Sequence, residues 1–163
     1  MNTATQAVTN STGKYLTFAL HHQSYGIDVL KVREIIRVTN ITAVPQLPAH
    51  VRGVINLRGK IIPVMDLRKR FGFPTHDDNN QTCIVVVQVP EGKTTAMGLV
   101  VDAVEEVINL NAADIEKTPD FGGLTDTGFI LGIAKVKGLV KSILDIDGVV
   151  GAATPESMQP LAV

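Results

Sequence analysis

The side chains in this sequence that could shuttle protons, hold a metal or attack an electrophile are four histidines, a single cysteine and several neighbouring carboxylates. His21 and His22 sit together in an expected turn, and His50 and His76 fall in unrelated loops. None has the nucleophile and orienting group that base catalysis needs. Cys83 opens a Val/Ile-rich run with no activating cation and no second cysteine, so it reads as a small buried or interfacial apolar residue in a reducing compartment. Glu105 and Glu106 are expected side by side on a polar helix face, and Asp145 and Asp147 on one side of a strand, as solvated or turn-forming groups. The run Gly53-Val54-Ile55-Asn56-Leu57-Arg58-Gly59-Lys60 approaches a phosphate loop, but has one residue too many between its glycines and Ile61 where a Ser or Thr would meet magnesium. Gly-x-Ser-x-Gly, His-Glu-x-x-His and Gly-x-Gly-x-x-Gly are all absent. These features favour an interaction module over an enzyme and require no metal or cofactor.

The scaffold that positions these residues is mostly β. Valine and isoleucine supply 35 of 163 residues in short bursts separated by Gly, Pro or Asn, a pattern of many short strands. A chain of this length makes one domain or two small packed lobes. The net charge of -1, without a block of like charges, argues against nucleic acid or acidic lipid as a partner. Residues 1–12 are polar, and the apolar runs fall short of the ~20 residues that span a bilayer, so a cytoplasmic protein without direct membrane insertion is expected.

Alternating residues 15–20 and 25–27 read as strands joined through 21–24. A short helical turn follows from Asp28, which could cap it, reverting to strand around Ile36. Pro45 and Pro48 bracket a loop, and strands at 53–57 and 60–67 turn tightly at Arg58-Gly59, where Gly59 can adopt positive φ. The polar stretch 72–81 is the best boundary between lobes. Beyond it come a strand at 83–89, a hairpin turn at 90–93, a return strand to Val101, a polar stretch at 111–128 containing Gly122-Gly123, and apolar segments at 129–136 and 139–146.

The second half repeats the first. Residues 25–38 overlay 97–110 without a gap, matching Gly26 with Gly98, Val32 with Val104 and Glu34 with Glu106 at an offset of 72. Farther on the offset is 79, matching Gly53, Gly59 and Asp66 with Gly132, Gly138 and Asp145. Two similarly built β units with a repeated short helix are implied, and small glycine-punctuated units close most naturally into barrels that meet at a seam.

The run from Tyr25 to Ile36, then Val44-Pro45, then the run from Arg52 to Arg68 containing Asn56-Leu57-Arg58-Gly59 and Pro63-Val64-Met65-Asp66-Leu67-Arg68, resembles the CheW family of bacterial chemotaxis coupling proteins. Residues 98–104 and 132–147 resemble that family's second half, and the likeness covers about 15–150. It implies a mostly β domain over 13–150, made of two five-stranded SH3-like β-barrels packed against each other with short helices. The lobe boundary would lie near 68–82, with strand or helix exchange between lobes, and 1–12 and 151–163 would be flexible tails. It also implies a standalone, non-enzymatic adaptor recruited to membrane-associated arrays, joining the cytoplasmic tip of methyl-accepting chemotaxis receptors to the regulatory domain of the histidine kinase CheA.

By that resemblance Val32, Glu34, Gly53, Arg58 and Gly59 face the kinase, with Val32 inserting an apolar side chain and Glu34 making a polar contact. Val29, Ile35, Ile61, Cys83 and Val107 line a groove for an apolar stripe on a receptor helix. Fold maintenance competes with these roles, since turns need the same glycines and cores the same aliphatics. The different-class alternative is a small-ligand-binding β protein that uses the inter-lobe seam as a pocket.

Overall fold

The computed structural model describes residues 13–74, 77–88, 96–116 and 129–151. The turn expected at 90–93, the Gly122-Gly123 pair, His76 and, apart from Gly151, both tails lie outside these residues.

Among the described residues eleven strands form two sheets: β1 (Gly13–Leu20), β2 (Gln23–Asp28), β3 (Val32–Arg37), β4 (Val51–Leu57), β5 (Lys60–Asp66), β6 (Cys83–Gln88), β7 (Ala96–Val101), β8 (Ala103–Leu110), β9 (Ile115–Glu116), β10 (Ile130–Val136) and β11 (Leu139–Leu144). The first sheet has the order β8-β1-β2-β11-β10-β9 and the second β3-β6-β7-β5-β4. Both are mixed, with one parallel pair each, β2 with β11 and β5 with β7. Five strands per unit were expected; the first sheet has six because the two-residue β9 pairs with β10.

The sequence repeat survives in the backbone. Gly26 is in register with Ile143 and Gly98 with Val64, the same pairing seen from each half. His50 O accepts from Asp66 N at 2.7 Å, and the corresponding Phe129 O accepts from Asp145 N at 2.7 Å. The sheets, however, mix the repeats. The chain leaves the first sheet at the 3-10 turn Val29–Lys31 and enters the second as β3; it returns at Asp102, between β7 and β8. Residues 72–82 join strands of one sheet.

Three helical expectations are corrected. Only Val29–Lys31 are helical after β2, with Asp28 capping Leu30 N at 2.9 Å as expected, and β3 starts at Val32 rather than near Ile36. Its β-branched residues find a ladder along β6, and that pairing outweighs their helical spacing. The second repeat has no matching helix: residues 103–110 are strand, so Glu105 and Glu106 lie on β8. Asp145 and Asp147 do not share a strand, because the helix Ile146–Gly151 begins between them.

Continuous apolar runs arise because the second sheet is covered on both faces. In β6, Val85 and Val87 join Phe18, Leu20, Ile27 and Leu99 in a cluster between the sheets, while Ile84 and Val86 turn to a separate cluster with Ile62, Val64 and Val100. Ile108, Leu110, Ala134 and Ile143 form a third cluster in the first sheet. The helical turn Leu67–Arg70 and the residues after it wedge the sheets together: Phe71 stacks on Phe129 at 4.9 Å and Phe73 on His21 at 5.1 Å.

Where β8 bulges, setting Glu105 and Glu106 against the single residue between Leu16 and Phe18, the fully buried Thr17 inserts its hydroxyl toward β8, donating to Glu106 O at 2.8 Å and accepting from Glu106 N at 3.1 Å. Thr17→Val keeps the shape and leaves both backbone groups unpaired, so it is expected to cost about 2 kcal/mol and lower the melt by roughly 4–8 °C. A thermal melt unchanged from the parent would mean that water or a shifted strand replaces both bonds.

Candidate partner-binding site

The tip of the β4–β5 hairpin and the edge strand β3 are joined by one ion pair. Arg58 has φ +52° and Gly59 φ +85°, the left-handed pair of a type I′ turn, and Gly59 N donates to Asn56 Oδ1 at 2.8 Å. That turn projects the Arg58 guanidinium against Glu34 in a fork-to-carboxylate geometry, Nη1 to Oε2 at 2.5 Å and Nη2 to Oε1 at 2.8 Å. The hydrogen bonds from Arg58, with the charges of Arg58 and Arg33, hold the Glu34 carboxyl below the usual range against a smaller opposing effect of desolvation. The contribution of this pair is therefore present above the ordinary carboxylate pKa and is lost as pH falls through the lowered one. The Arg58 side chain is 74% exposed, so the pair is held out toward solvent.

Of the other residues expected to face the kinase, Val32 is half-buried against the inter-sheet cluster. Gly53 is buried at φ +146°, and a Cβ there would stand 2.0 Å from Thr42 O, so glycine is demanded by the chain's own Thr42-Ala43 backbone. Gly59 differs: a Cβ would meet nothing within 4 Å, and only its positive φ requires glycine.

None of the five residues expected to face a receptor is fully buried. Ile35 on β3 and Val107 on β8 are repeat equivalents, 42% and 52% exposed, each on an outermost strand of its sheet. Cys83 is half-buried at the start of β6, its Sγ donating to Gln81 O at 3.3 Å, and is in register with Arg37 of β3. Val29 is half-buried in the 3-10 turn that leads into β3. Ile61, 66% exposed, sits apart from the β3–β6 pair, opposite Asn56 and beside the Arg58-Gly59 turn. The structure thus brings Glu34 and Arg58 together and leaves Ile61 on their hairpin.

An ionic centre between the repeats has no counterpart in the sequence expectations. Arg68, 2% exposed, donates through Nε and Nη2 to Asp66 at 3.0 and 2.9 Å, and through Nη1 to Asp102 at 3.3 Å. Nη2 also lies 3.4 Å from Asp78, which accepts two bonds from Arg52 at 3.2 and 3.1 Å. Burial pushes Asp78 up, but hydrogen bonds and charge from Arg52 and Arg68 outweigh it and leave its pKa lowered. The Arg68 pKa is raised, chiefly by its hydrogen bonds to Asp66. Asp102 Oδ2 also accepts from His21 N at 2.8 Å, so one carboxylate ties the β1–β2 turn to the helical turn after β5. The clue in the sequence was Asp66-Leu67-Arg68, an Asp that caps a helical turn and an Arg close enough to fold back onto it.

The chain matches the CheW-like domain over residues 14–154. It is 32% identical over 149 residues to the chemotaxis protein CheW of Rhizobium meliloti, covering 91% of this chain and 94% of that one. The CheW of Thermotoga maritima is 33% identical over 141 residues, covering 85% and 88%. This chain belongs to the CheW family. The crystal structure of the scaffolding protein TtCheW from Thermoanaerobacter tengcongensis matches it with a TM-score of 0.76 at 37% identity, over 85% of this chain and 92% of that one. CheW-family proteins are non-enzymatic scaffolds, and membership assigns this chain a general adaptor role in chemotaxis signalling. Among the described residues no helix is long and apolar enough to cross a membrane.

A cleft of about 320 Å³ bears on the small-ligand alternative, but it lies on the first sheet and not in the seam. Its floor is the buried Lys141, which donates to Ser24 Oγ at 2.8 Å and lies 3.4 Å from Glu105; Ser24 Oγ in turn donates to Glu105 at 2.6 Å. These polar groups already satisfy one another. The seam is filled by side chains such as Phe18, Ile27, Val85 and Leu99, all 0% exposed.

Proposed function

We propose that this CheW-family chain bridges the cytoplasmic tip of methyl-accepting receptors and the regulatory domain of the histidine kinase CheA, and is recruited to receptor arrays from the cytoplasm. The observation that carries the reading is the Glu34–Arg58 pair at an exposed hairpin tip, together with exposed aliphatic residues on β3 and β8, the outermost strands of the two sheets. Glu34, Arg58 and Gly59, flanked by Val32, form the kinase-facing surface, and Gly53 supports it from within by letting the Thr42-Ala43 backbone pack against β4. Val29, Ile35, Cys83 and Val107 form the receptor groove, with Ile61 at its hairpin side. In this reading each sheet belongs to an SH3-like barrel, and β3 and β8 offer their exposed aliphatic side chains to the partners.

Val107→Asp separates the two surfaces. A carboxylate set into an apolar contact is expected to weaken receptor-tip binding roughly tenfold or more, while kinase binding and the thermal melt stay near the parent's because Val107 is half exposed. Titration calorimetry against each partner reads the difference. Normal receptor affinity in the folded variant would remove Val107 from the groove.

A further inference from the structure

The offsets that describe the repeat also set two ion pairs in matching places. At an offset of 79, Arg68 in the helical turn after β5 corresponds to Asp147 in the helix after β11. At 72, Lys31 at the crossover into β3 corresponds to Ala103, beside Asp102 at the crossover into β8. Arg68 Nη1 reaches Asp102 Oδ1 at 3.3 Å, and Lys31 Nζ reaches Asp147 Oδ2 at 3.2 Å. Each terminal helical segment therefore grips the crossover of the other repeat, with the signs of the charges exchanged.

The two grips differ in how easily they open. Arg68 is 2% exposed and is held at once by Asp66, Asp78 and Asp102, so opening it would strand buried charges. The Lys31 and Asp147 side chains are 37% and 40% exposed and are joined by a single bond, a pair that contributes little and is screened by salt. The other oxygen of Asp147, Oδ1, is buried without a partner among the described residues, so the carboxylate is only half satisfied where it stands.

We propose that the Lys31–Asp147 pair is a releasable clasp through which the helix Ile146–Gly151 sets the position of the Val29–Lys31 crossover, and thereby links the two partner surfaces. One end of the clasp stands between Val29 and Val32, with Glu34 and Ile35 next along the strand. The other end hangs from β11, in the sheet that carries Val107. The link to partners rests on the adaptor reading; the clasp itself does not.

Amide hydrogen exchange on the free protein tests the clasp. Lys31→Met and Asp147→Asn, each alone, are expected to speed exchange severalfold at both 29–34 and 146–151 without changing the melt. About 0.5 M salt should do the same to the parent, and the exchanged pair Lys31→Asp with Asp147→Lys should restore protection. If Lys31→Met leaves exchange at 146–151 at the parent rate, the clasp is overturned. Receptor-tip titrations with and without saturating kinase regulatory domain test transmission. The kinase domain should change the parent's receptor affinity, and each single variant should lose most of that change while keeping both separate affinities within about twofold of the parent's. Full coupling in the variants, or none in the parent, overturns the transmission. A parent that binds neither partner sinks the adaptor reading instead, and the exchange result then decides the clasp alone.

Discussion

Arg68→Met is expected to destabilise the fold by about 3–5 kcal/mol, because it removes the cation paired with Asp66 and leaves that 2%-exposed carboxylate without its partner in the interior. Methionine can fill much of the volume but offers no donor to Asp66 or to Asp102. Against a total stability of roughly 5–15 kcal/mol, such a loss removes a large share of the margin that keeps the chain folded. The damage should also reach both sheets, since Asp102 joins Arg68 to the β1–β2 turn through His21 N. Circular dichroism melts at neutral pH read the effect. Recovery of the melt on adding Asp66→Asn to Arg68→Met would identify the stranded charge as the cause. A variant melting within ~2 °C of the parent would show that the cluster adds nothing beyond packing.

Arg58→Glu should act on binding and not on folding. The substitution sets a second carboxylate against Glu34 at the tip of an exposed turn, opening the hairpin-to-β3 join and reversing the charge offered to a partner. Kinase-domain affinity is expected to fall roughly tenfold or more, with receptor-tip affinity and the melt close to the parent's. The exchanged pair Glu34→Arg with Arg58→Glu distinguishes two causes. Recovery means that the kinase reads the geometry the pair enforces; continued loss means that it reads the guanidinium itself. Parental kinase affinity in Arg58→Glu would take the pair out of the interface.

Local chemistry made much of this legible in the sequence. Arg58-Gly59 as a tight turn follows from the glycine's tolerance of positive φ, and the observed φ of +85° at Gly59 agrees. The repeat was equally legible, down to Gly26 and Gly98 occupying matching parallel registers. Its spatial meaning was not, because periodicity along a chain carries no record of which strand a segment pairs with. β3 and β8 each leave the sheet of the strand before them. The second short helix failed for a physical reason: at the position matching the helical turn, Asp102 is drawn out by Arg68 and by His21 N. Gly53 looked like a site for partner approach, whereas the backbone that approaches it is the chain's own Thr42. The Arg68 centre stayed hidden because its members come from four separate stretches, at 52, 66–68, 78 and 102, and nothing in their spacing announces that they meet.

The bridging role is tested most directly by immobilising a receptor signalling tip and measuring retention of the kinase regulatory domain with and without this chain. The two-surface account predicts that the kinase domain is retained only when the chain is present. Retention should be lost with Val107→Asp, which releases the chain from the receptor, and with Arg58→Glu, which leaves the chain on the receptor and releases the kinase. Equal retention of the kinase domain without the chain, or a chain that holds one partner and never both, would contradict it.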